Sequence, residues 1–333
     1  MTNARTLITG SSGFIGTNMM NSCLGAGYEV LGIDIKKPQD KKHDTVFQRV
    51  DILDNISLEK VFRDFAPTHV LHLAARTDLH EKKDIQGYAA NTDGVENVVN
   101  AIASQPSIKR SIFASTKLVC PTDYTPTSED DYCPSTLYGK SKVIGEKIVK
   151  ECPSMQCDWC IVRPTSIWGP WAYIPYGKFF QMVARKLYFH PGYSDSPKSF
   201  GYVGNTVFQI EKLFNAPADQ IHKKVFYLTD YETFTIRQWA DTISMKLRNK
   251  KTRTIPEWMV RVLALAGDLT KSCGIKEPPF SSFRLQNMRA NTAGVPIESI
   301  RQITGPLPYS LEQGVKETIS WLQKHNIIRH DNI

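Results

Sequence analysis

The first 170 residues alternate short apolar runs with longer amphipathic segments, and this rhythm limits the folds open to the chain. Runs such as "RTLITG" and "HVLHLAA" have the length of buried strands, while the segments between them have helical spacing. Strands that alternate with helices form a parallel sheet with helices on both faces. We therefore predict an α/β fold with a doubly wound parallel sheet, whose further strands are "EVLGIDI", "VFQRVDI", "RSIFAST" and "DWCIVRPTSI".

The rhythm breaks after about residue 170. Proline and glycine cluster in "GPWAYIPYGKFF" and "FHPGYSDSPKSFGYVGN", and a possible strand, "KVFYLTD", precedes a mostly helical end. Such a change is typical of a second region built on the edge of the first. We predict two parts, a doubly wound domain over residues 1–170 and a smaller, mixed region over residues 171–333.

The composition is that of a globular protein in a reducing compartment. No apolar run approaches the roughly 20 residues that span a bilayer, and the N-terminus lacks the layout of a secretory signal. Seven cysteines, an odd number, indicate reduced thiols. Cys157 and Cys160 form a CxxC, but a zinc or redox site needs further ligands that the sequence does not offer nearby. We predict a cytoplasmic protein with buried or edge thiols and no metal site.

The net charge of +8 favours an acidic partner. The lysines and arginines are dispersed along the chain rather than gathered into one stripe, so nucleic acid is not favoured. Small phosphorylated ligands explain the same surplus of positive charge.

Gly10, Gly13 and Gly16 lie where the first predicted strand meets the first predicted helix. In a doubly wound fold this turn lies at the carboxyl end of the sheet, where the helix N-terminus attracts phosphate and a missing Cβ lets a pyrophosphate approach. Asp34 ends the second strand, where an acid can bind ribose hydroxyls and repel a 2′-phosphate. The pattern favours NAD over NADP, although Lys36 and Lys37 keep NADP possible. The alternative is a purely structural loop.

Tyr138 and Lys142, four residues apart in "YGKSK", would share one face of a helix. A nearby cation typically lowers a tyrosine pKa by about 1–3 units, which suits a phenol for proton exchange near neutral pH. Thr116 ends the preceding strand, where its hydroxyl could bind a substrate oxygen. These three residues are the predicted catalytic group, and the alternative for the Tyr–Lys pair is an exposed helical pair.

The motifs resemble those of the extended short-chain dehydrogenases/reductases, in particular the NAD-dependent epimerase/dehydratase group that modifies nucleotide sugars. "TGSSGFIG" is similar to that group's TGxxGFIG, "HLAA" to its HxAA, and "RPTSIWGP" to its RPxxVYGP. Asn91, Gly94 and Asn97 match its NxxGxxN helix. The resemblance covers nearly the whole first half and continues more weakly to the end. It implies an NAD-binding Rossmann fold and a Ser/Thr-Tyr-Lys triad at Thr116, Tyr138 and Lys142.

The resemblance also implies which residues line the cofactor. Asp51 and Ile52 fit the pair that usually meets adenine, and residues 163–170 fit the segment that borders the nicotinamide. The residues expected to bind NAD are Gly10, Ser12, Gly13, Phe14, Ile15, Gly16, Asp34, Ile35, Asp51, Ile52, Leu73, Ala74, Ala75, Asn91, Ala114, Tyr138, Lys142, Pro164, Thr165 and Ser166.

Substrate choice is expected to lie mainly in residues 171–333. Lys198 stands where this group often carries an arginine for the nucleotide diphosphate, and Arg284 is placed like a second phosphate-binding arginine. Lysine can still neutralise a phosphate as a point charge, without the bidentate fork of arginine. Arg76, Thr77 and Thr116 are expected to line the sugar pocket.

The chain departs from the group's pattern in two ways. The 4,6-dehydratases and related decarboxylases usually carry acidic residues just after the triad Ser/Thr, where this chain has Lys117 and Leu118. Without a carboxyl group there, elimination of water lacks its acid and base, so dehydration is disfavoured. Cys120 replaces a tyrosine that is usual in the group, a change that the sequence does not explain.

The favoured interpretation is an NAD-dependent epimerase or keto/hydroxyl oxidoreductase that acts on a nucleotide sugar. Relatives often dimerise through a four-helix bundle that includes the helix of Tyr138, so a homodimer is expected.

Two alternatives stay open. The stretch "IPEWMVRVLALAGDL", preceded by "RNKKTR", could lie on a membrane surface, as in relatives that oxidise sterols or lipid-linked substrates, the 3-beta-hydroxysteroid dehydrogenases among them. A helical apolar face is more often core, which disfavours a membrane partner. The second alternative is a non-catalytic NAD(P)-sensing protein, against which the intact triad counts.

Overall fold

The computed structural model describes residues 4–192, 195–272 and 282–328. In this part of the chain the strands are β1 (Arg5–Thr9), β2 (Glu29–Asp34), β3 (Phe47–Arg49), β4 (His69–His72), β5 (Arg110–Ala114), β6 (Asp158–Pro164), β7 (Ser166–Trp168), β8 (Phe189–Pro191), β9 (Pro197–Lys198), β10 (Phe200–Tyr202), β11 (Lys224–Leu228), β12 (Phe234–Thr235) and β13 (Arg253–Ile255).

The helices follow the same order along the chain. They are α1 (Phe14–Gly25), α2 (Asn55–Phe65), α3 (Asp93–Ala103), α4 (Leu137–Glu151), α5 (Lys178–Ala184), α6 (Val203–Asn215), α7 (Ala218–Ile221), α8 (Ile236–Arg248), α9 (Glu257–Ser272), α10 (Ser282–Arg289), α11 (Glu298–Thr304) and α12 (Leu311–Lys324). Short 3-10 helices lie at Lys41–Val46, Ile85–Asn91 and Lys117–Val119.

Seven of the described strands form one parallel sheet in the order β11-β6-β5-β4-β1-β2-β3. The chain builds outward from β1 to β3, returns to place β4 beside β1, and then builds toward the opposite edge. The order therefore reverses between β1 and β4, where Thr9 pairs with His72. The carboxyl ends at such a reversal are where open α/β sheets bind ligands. The predicted doubly wound α/β fold is confirmed.

Both faces of the sheet are covered, because successive side chains of a strand point to opposite faces. Leu7 packs in a cluster with residues of α2 and α3, whereas its neighbour Ile8 packs in a cluster with residues of α1 and α6. Neither side chain is exposed to solvent. This explains why the strands read as continuous apolar runs rather than as alternating ones.

The chain forms two compact units, and each unit consists of three separate segments of the sequence. The first unit comprises Met1–Ile167, Gly201–Tyr231 and Val295–Pro308, and the second comprises the stretches between them and the C-terminal part. The segment Gly201–Tyr231 contributes α6 and the edge strand β11 to the first unit. The first unit thus contains a segment from beyond residue 170 as well as the first 167 residues.

The second unit combines helices with short strand pairs. β8 pairs with β13 in parallel, and β9 pairs with β12 in the antiparallel sense. Trp239 lies at the centre of an aromatic cluster, with ring centroids 4.8 Å from Phe179 and 5.1 Å from Phe200. None of the described helices is both long enough and apolar enough to cross a membrane.

Candidate active site

The glycine turn between β1 and α1 lies at the reversal of the strand order. Gly10 has a φ of +70°, and a Cβ on it would lie 2.6 Å from the backbone nitrogen of Ala74. Gly13 donates its N–H to the Gly10 carbonyl at 3.0 Å and occupies the N-cap of α1. No described side chain caps this helix end. The first turn of α1 therefore has backbone donors for an anionic group.

Asp34, at the end of β2, lies beside this turn. Its carboxylate accepts from the backbone nitrogens of Ser12 at 3.1 Å and Lys36 at 2.9 Å. The Ser12 hydroxyl donates to the Lys36 carbonyl at 2.8 Å. The structure thus brings the acid and the glycine turn together, as expected for a dinucleotide that runs from its pyrophosphate to its adenosine ribose.

The residues after β3 are fixed by α3. Asn97 donates to the Ile52 carbonyl at 2.9 Å, and a Cβ on Gly94 would lie 2.6 Å from Ile52 Cδ1. Asp51 accepts from the Leu53 N–H at 3.0 Å. Ile35, which follows Asp34, is about half exposed (52%). The asparagine and glycine of the predicted helix motif thus hold the loop that contains Asp51 and Ile52.

Asn91 connects the segment after β4 to α4. Its amide oxygen accepts from the Arg76 N–H at 2.8 Å, and its amide nitrogen donates to the Arg76 carbonyl and to the Ser141 hydroxyl, both at 2.9 Å. On the other side of that segment, Leu73 and Ala74 donate to the carbonyl and the hydroxyl of Thr9 at 3.1 and 3.2 Å.

Helix α4 presents Tyr138, Lys142 and Glu146 at successive four-residue steps, so the three side chains share one face. The Thr136 hydroxyl caps the helix by accepting from the Gly139 N–H at 3.0 Å. The Lys142 ammonium donates to the Ala114 carbonyl at 2.6 Å, which attaches α4 to the end of β5. Thr116, two residues further on, is buried and accepts from the Leu118 N–H at 3.2 Å.

Burial sets the protonation of this group. Burial lowers the pKa of Lys142 to about 8, against the opposing charge of Glu146. Burial raises the pKa of Tyr138, a hydrogen bond with Thr116 opposes this, and Tyr88 adds to it. In the chain by itself the pKa of Tyr138 is therefore raised, whereas the Tyr–Lys spacing predicts that it is lowered. The Tyr88 ring lies 6.1 Å from that of Tyr138.

A buried ion pair lies behind this face of α4, and the sequence pattern did not predict it. Arg163 in β6 contacts Glu146 through Nε at 2.9 Å and Nη2 at 2.7 Å, and neither side chain is more than 1% exposed. Arg163 also donates to the Tyr227 hydroxyl and the Glu129 carbonyl. An arginine inside the apolar run "CIVRP" is the sequence signal that could have revealed it, because a buried charge needs a partner.

Several expected substrate or cofactor residues have partners within the chain. The Arg76 guanidinium contacts Asp78 at 2.7 Å, donates to the Gly87 carbonyl and covers the Tyr88 ring. Thr77, next to it, is exposed. Pro164 ends β6, Thr165 donates its N–H to the Leu228 carbonyl at 3.0 Å, and Ser166 begins β7.

The two residues expected to bind a diphosphate lie in the second unit. Lys198, on β9, is buried and donates to the Ala290 carbonyl. Arg284 lies on α10, and its side chain is outside the described part of the structure. Their place relative to the other site residues stays a prediction.

The two departures from the group's pattern have structural explanations. Lys117 is buried, and its ammonium donates to the carbonyls of Pro121 at 2.7 Å and Tyr124 at 2.6 Å. The Cys120 thiol donates to the Asp131 carbonyl at 2.9 Å. Both side chains hold the loop between β5 and α4.

The thiols of the CxxC segment are free and buried, and burial raises the pKa of both, to about 12 for Cys160. Among the described residues, no group of three or more His, Cys, Asp or Glu side chains could hold a metal ion.

Comparisons with known proteins agree with this geometry. A sequence model of the NAD dependent epimerase/dehydratase family matches residues 6–223. The chain is 24% identical over 326 residues to N-acetyl-alpha-D-glucosaminyl-diphospho-ditrans,octacis-undecaprenol 4-epimerase of Escherichia coli O157:H7, with 96% of this chain and 95% of that protein covered. It is 24% identical over 337 residues to UDP-glucose 4-epimerase of Vibrio cholerae, with 96% of each covered.

A solved structure gives the same fold. UDP-glucuronic acid 4-epimerase from Bacillus cereus, in complex with UDP-glucuronic acid and NAD, superposes with a TM-score of 0.71 at 19% identity. The superposition covers 96% of this chain and 99% of that one.

The buried ion pair generates a stability prediction. Glu146→Gln removes the negative charge and leaves Arg163 as an uncompensated buried cation, so we expect the free energy of unfolding to fall by about 3–5 kcal/mol. Urea denaturation followed by circular dichroism measures the change.

Asp130→Asn is the matched control, because Asp130 pairs with Lys150 at 2.7 Å but its side chain is 77% exposed. We expect this substitution to cost less than about 1 kcal/mol. Equal losses for the two variants would show that the buried pair has no special weight.

Proposed function

Because this chain belongs to the NAD-dependent epimerase/dehydratase family, we propose that it is an epimerase or keto/hydroxyl oxidoreductase that acts on a sugar carried by a nucleotide. The observation that carries the proposal is the placement of α4. Its Lys142 ammonium donates a hydrogen bond to the Ala114 carbonyl at the end of β5, and Tyr138 interacts with Thr116 in the loop that follows that strand. The first turn of α1, which follows β1, and Asp34, which ends β2, lie at the same edge of the parallel sheet.

The residues at this edge fit NAD. The uncapped first turn of α1 and Gly10, Gly13 and Gly16 would hold the pyrophosphate, and Asp34 would bind the adenosine ribose. Asp51 and Ile52 would meet the adenine. Lys142 and residues 164–166 would bind the nicotinamide half. When bound, the nicotinamide supplies a reversible hydride acceptor.

Thr116, Tyr138 and Lys142 divide the proton chemistry among them. Thr116 holds the substrate oxygen, and Tyr138 takes the hydroxyl proton. Burial raises the pKa of Tyr138, so the phenolate needs a positive charge close by. Lys142, whose pKa of about 8 leaves it mostly protonated at neutral pH, supplies that charge.

The loop after Thr116 supports epimerisation or simple redox chemistry over elimination of water. The position that would carry a general acid holds Lys117, and its ammonium is bonded to two loop carbonyls. Elimination needs a group that protonates the leaving hydroxyl, and neither Lys117 in this arrangement nor Leu118 provides one.

A nucleotide diphosphate explains the basic surplus of the chain, and the Vibrio cholerae and Bacillus cereus relatives are named for UDP-sugars. Lys198 and Arg284 are the proposed contacts for its phosphates, and Arg76 and Thr77 for its sugar. A second candidate is a sugar diphosphate linked to a lipid, as in the name of the Escherichia coli relative. The exposed apolar side of α9 favours it, since Trp258 is 67% and Leu265 is 63% exposed.

We further propose a cytoplasmic homodimer that associates through the helices around α4. This helix leaves Ile144 partly exposed, and it packs against α3. An apolar side chain on the outer side of two paired helices suits a four-helix interface.

The proposed activity is tested by incubating the purified protein with NAD and a panel of nucleotide sugars. We expect a new isomer of unchanged mass without accumulation of NADH, detected by chromatography with mass spectrometry and by absorbance. Stoichiometric NADH with loss of two hydrogens would establish an oxidoreductase instead. Loss of water would contradict the argument from Lys117, and no turnover of any nucleotide sugar would direct attention to the lipid-linked candidate.

Tyr138→Phe tests the proposed acid–base group. The substitution removes one hydroxyl from a buried ring, so we expect turnover to fall by about 10²–10⁴-fold while NAD binding changes little. Initial rates and calorimetric titration with NAD measure the two effects.

Tyr309→Phe serves as the control, because it removes the same atom from a ring that is 39% exposed in the second unit. We expect its turnover to stay near that of the parent. Full turnover by the Tyr138 variant would show that a different group carries out the proton transfer.

A further inference from the structure

Helix α9 exposes an unusual number of large apolar side chains. Trp258 is 67% exposed, Val262 58% and Leu265 63%, and Met259 and Leu263 are exposed by 36% and 39%. Single exposed apolar residues are normal on protein surfaces, but a contiguous set on one element marks an interaction surface. The sequence alone favours a core position for this stretch, and the structure shows the opposite for these five residues, here named the α9 face.

The α9 face occupies one side of the helix. At 3.6 residues per turn, its five positions fall within an arc of about 160°. Val260 lies on the opposite side, where it packs with Leu285 and Ile255 as a small core of the second unit. Among the described side chains of α9, Val260 is therefore the one that anchors the helix, while the five residues of the α9 face point away from that core.

Positive charge surrounds the start of the helix. Lys250, Lys251 and Arg253 precede α9 and are exposed, and the Arg261 side chain, on the helix itself, is 75% exposed. The one acid in the first turn, Glu257, is paired with Arg289 at 2.6 Å and with Arg261 at 3.4 Å, so its negative charge is balanced within the chain. An apolar face with an aromatic residue and a rim of lysine and arginine is the pattern of helices that lie in the plane of an anionic bilayer surface.

We propose that the α9 face docks on a membrane surface rich in anionic phospholipid. Trp258, Val262 and Leu265 insert below the headgroups, and the basic residues before and on the helix contact the lipid phosphates. An indole ring suits the interface, since its body is apolar and its N–H is polar. The net charge of +8 complements an anionic surface, and the basic residues beside α9 oppose contact between this face and the same face of a second copy. The inference goes beyond the proposed function and does not depend on which sugar is the substrate.

Flotation of the full-length protein with vesicles tests the proposal. We expect binding to vesicles of phosphatidylglycerol and phosphatidylcholine in equal parts, weak binding to phosphatidylcholine alone, and release by high salt. Trp258→Ser combined with Leu265→Ser removes much of the inserted surface. We therefore expect this variant to need at least about tenfold more lipid than the parent to reach the same bound fraction. No binding of the parent protein to the anionic vesicles would overturn the proposal.

Ile56→Ser is the matched control for the apolar residues. Ile56 is 83% exposed, on α2 in the first unit, and it stands apart from the α9 face. We expect its vesicle binding to equal that of the parent. An equal loss in the Ile56 variant would show that general surface hydrophobicity, and not α9, drives binding.

Lys250→Glu with Lys251→Glu tests the charge contribution, with Lys60→Glu as its control on α2. We expect the double variant to lose binding to anionic vesicles and most of its salt dependence, while the control keeps both.

Sedimentation of the parent and of the Trp258/Leu265 variant distinguishes membrane docking from self-association through the α9 face. If the parent self-associates, the variant does not, and neither binds vesicles, the face contacts a second copy instead.

Turnover of nucleotide sugars without vesicles separates this inference from the proposed function. We expect the α9 variants to keep the parent's turnover, because none of the substituted residues belongs to the proposed site. Vesicle binding without turnover of any nucleotide sugar would leave the docking surface standing and remove the proposed substrate. Turnover of a nucleotide sugar without vesicle binding would overturn the docking surface and leave the proposed substrate standing.

Discussion

The structure depends on the close approach of the glycine turn to the segment that follows β4. Gly10 lies against Ala74, and any side chain on it would collide with that backbone. Thr9 then holds the amides of Leu73 and Ala74. Further along the same segment, the Asn91 side chain forms hydrogen bonds with the N–H and the carbonyl of Arg76. It also donates a hydrogen bond to the Ser141 hydroxyl on α4. One series of hydrogen bonds thus sets the distance between the predicted pyrophosphate turn and the helix that carries Tyr138.

Local sequence pattern predicted the parts of the site that depend on local geometry. The strand–glycine–helix order placed the turn, and the four-residue spacing put Tyr138 and Lys142 on one face of α4. Arg163 and Glu146 escaped prediction because they lie 17 residues apart on different elements, and nothing in their spacing shows that they meet. The return of Gly201–Tyr231 to the first unit escaped for the same reason, since the neighbour of an edge strand is a property of the folded sheet.

Burial is the quantity that the sequence conveyed least well. The spacing of Tyr138 and Lys142 indicates an attraction between phenolate and ammonium, but it does not indicate how much solvation both groups lose. For the apolar stretch of α9 the sequence predicts more burial than the structure shows. Its composition suggests a core helix, yet among the described residues Val260 packs inward while Trp258 and Leu265 remain exposed. Apolar periodicity identifies a face, and only the fold decides what covers it.

The histidines of β4 limit the acid tolerance of the whole sheet. His72 is buried beside Thr9, and burial, with a smaller contribution from Lys142, lowers its pKa to about 3. Burial, aided by Arg110 and Lys109, lowers the pKa of His69 to about 4. Unfolding frees both imidazoles to bind protons at their ordinary pKa of about 6.5. Below that pH the unfolded chain binds protons that the native chain does not. The free energy of unfolding therefore falls by up to about 1.4 kcal/mol per pH unit for the buried His72, and by less for the partly exposed His69. A strand at the centre of the sheet thus makes the native state less stable as the pH falls below about 6.5.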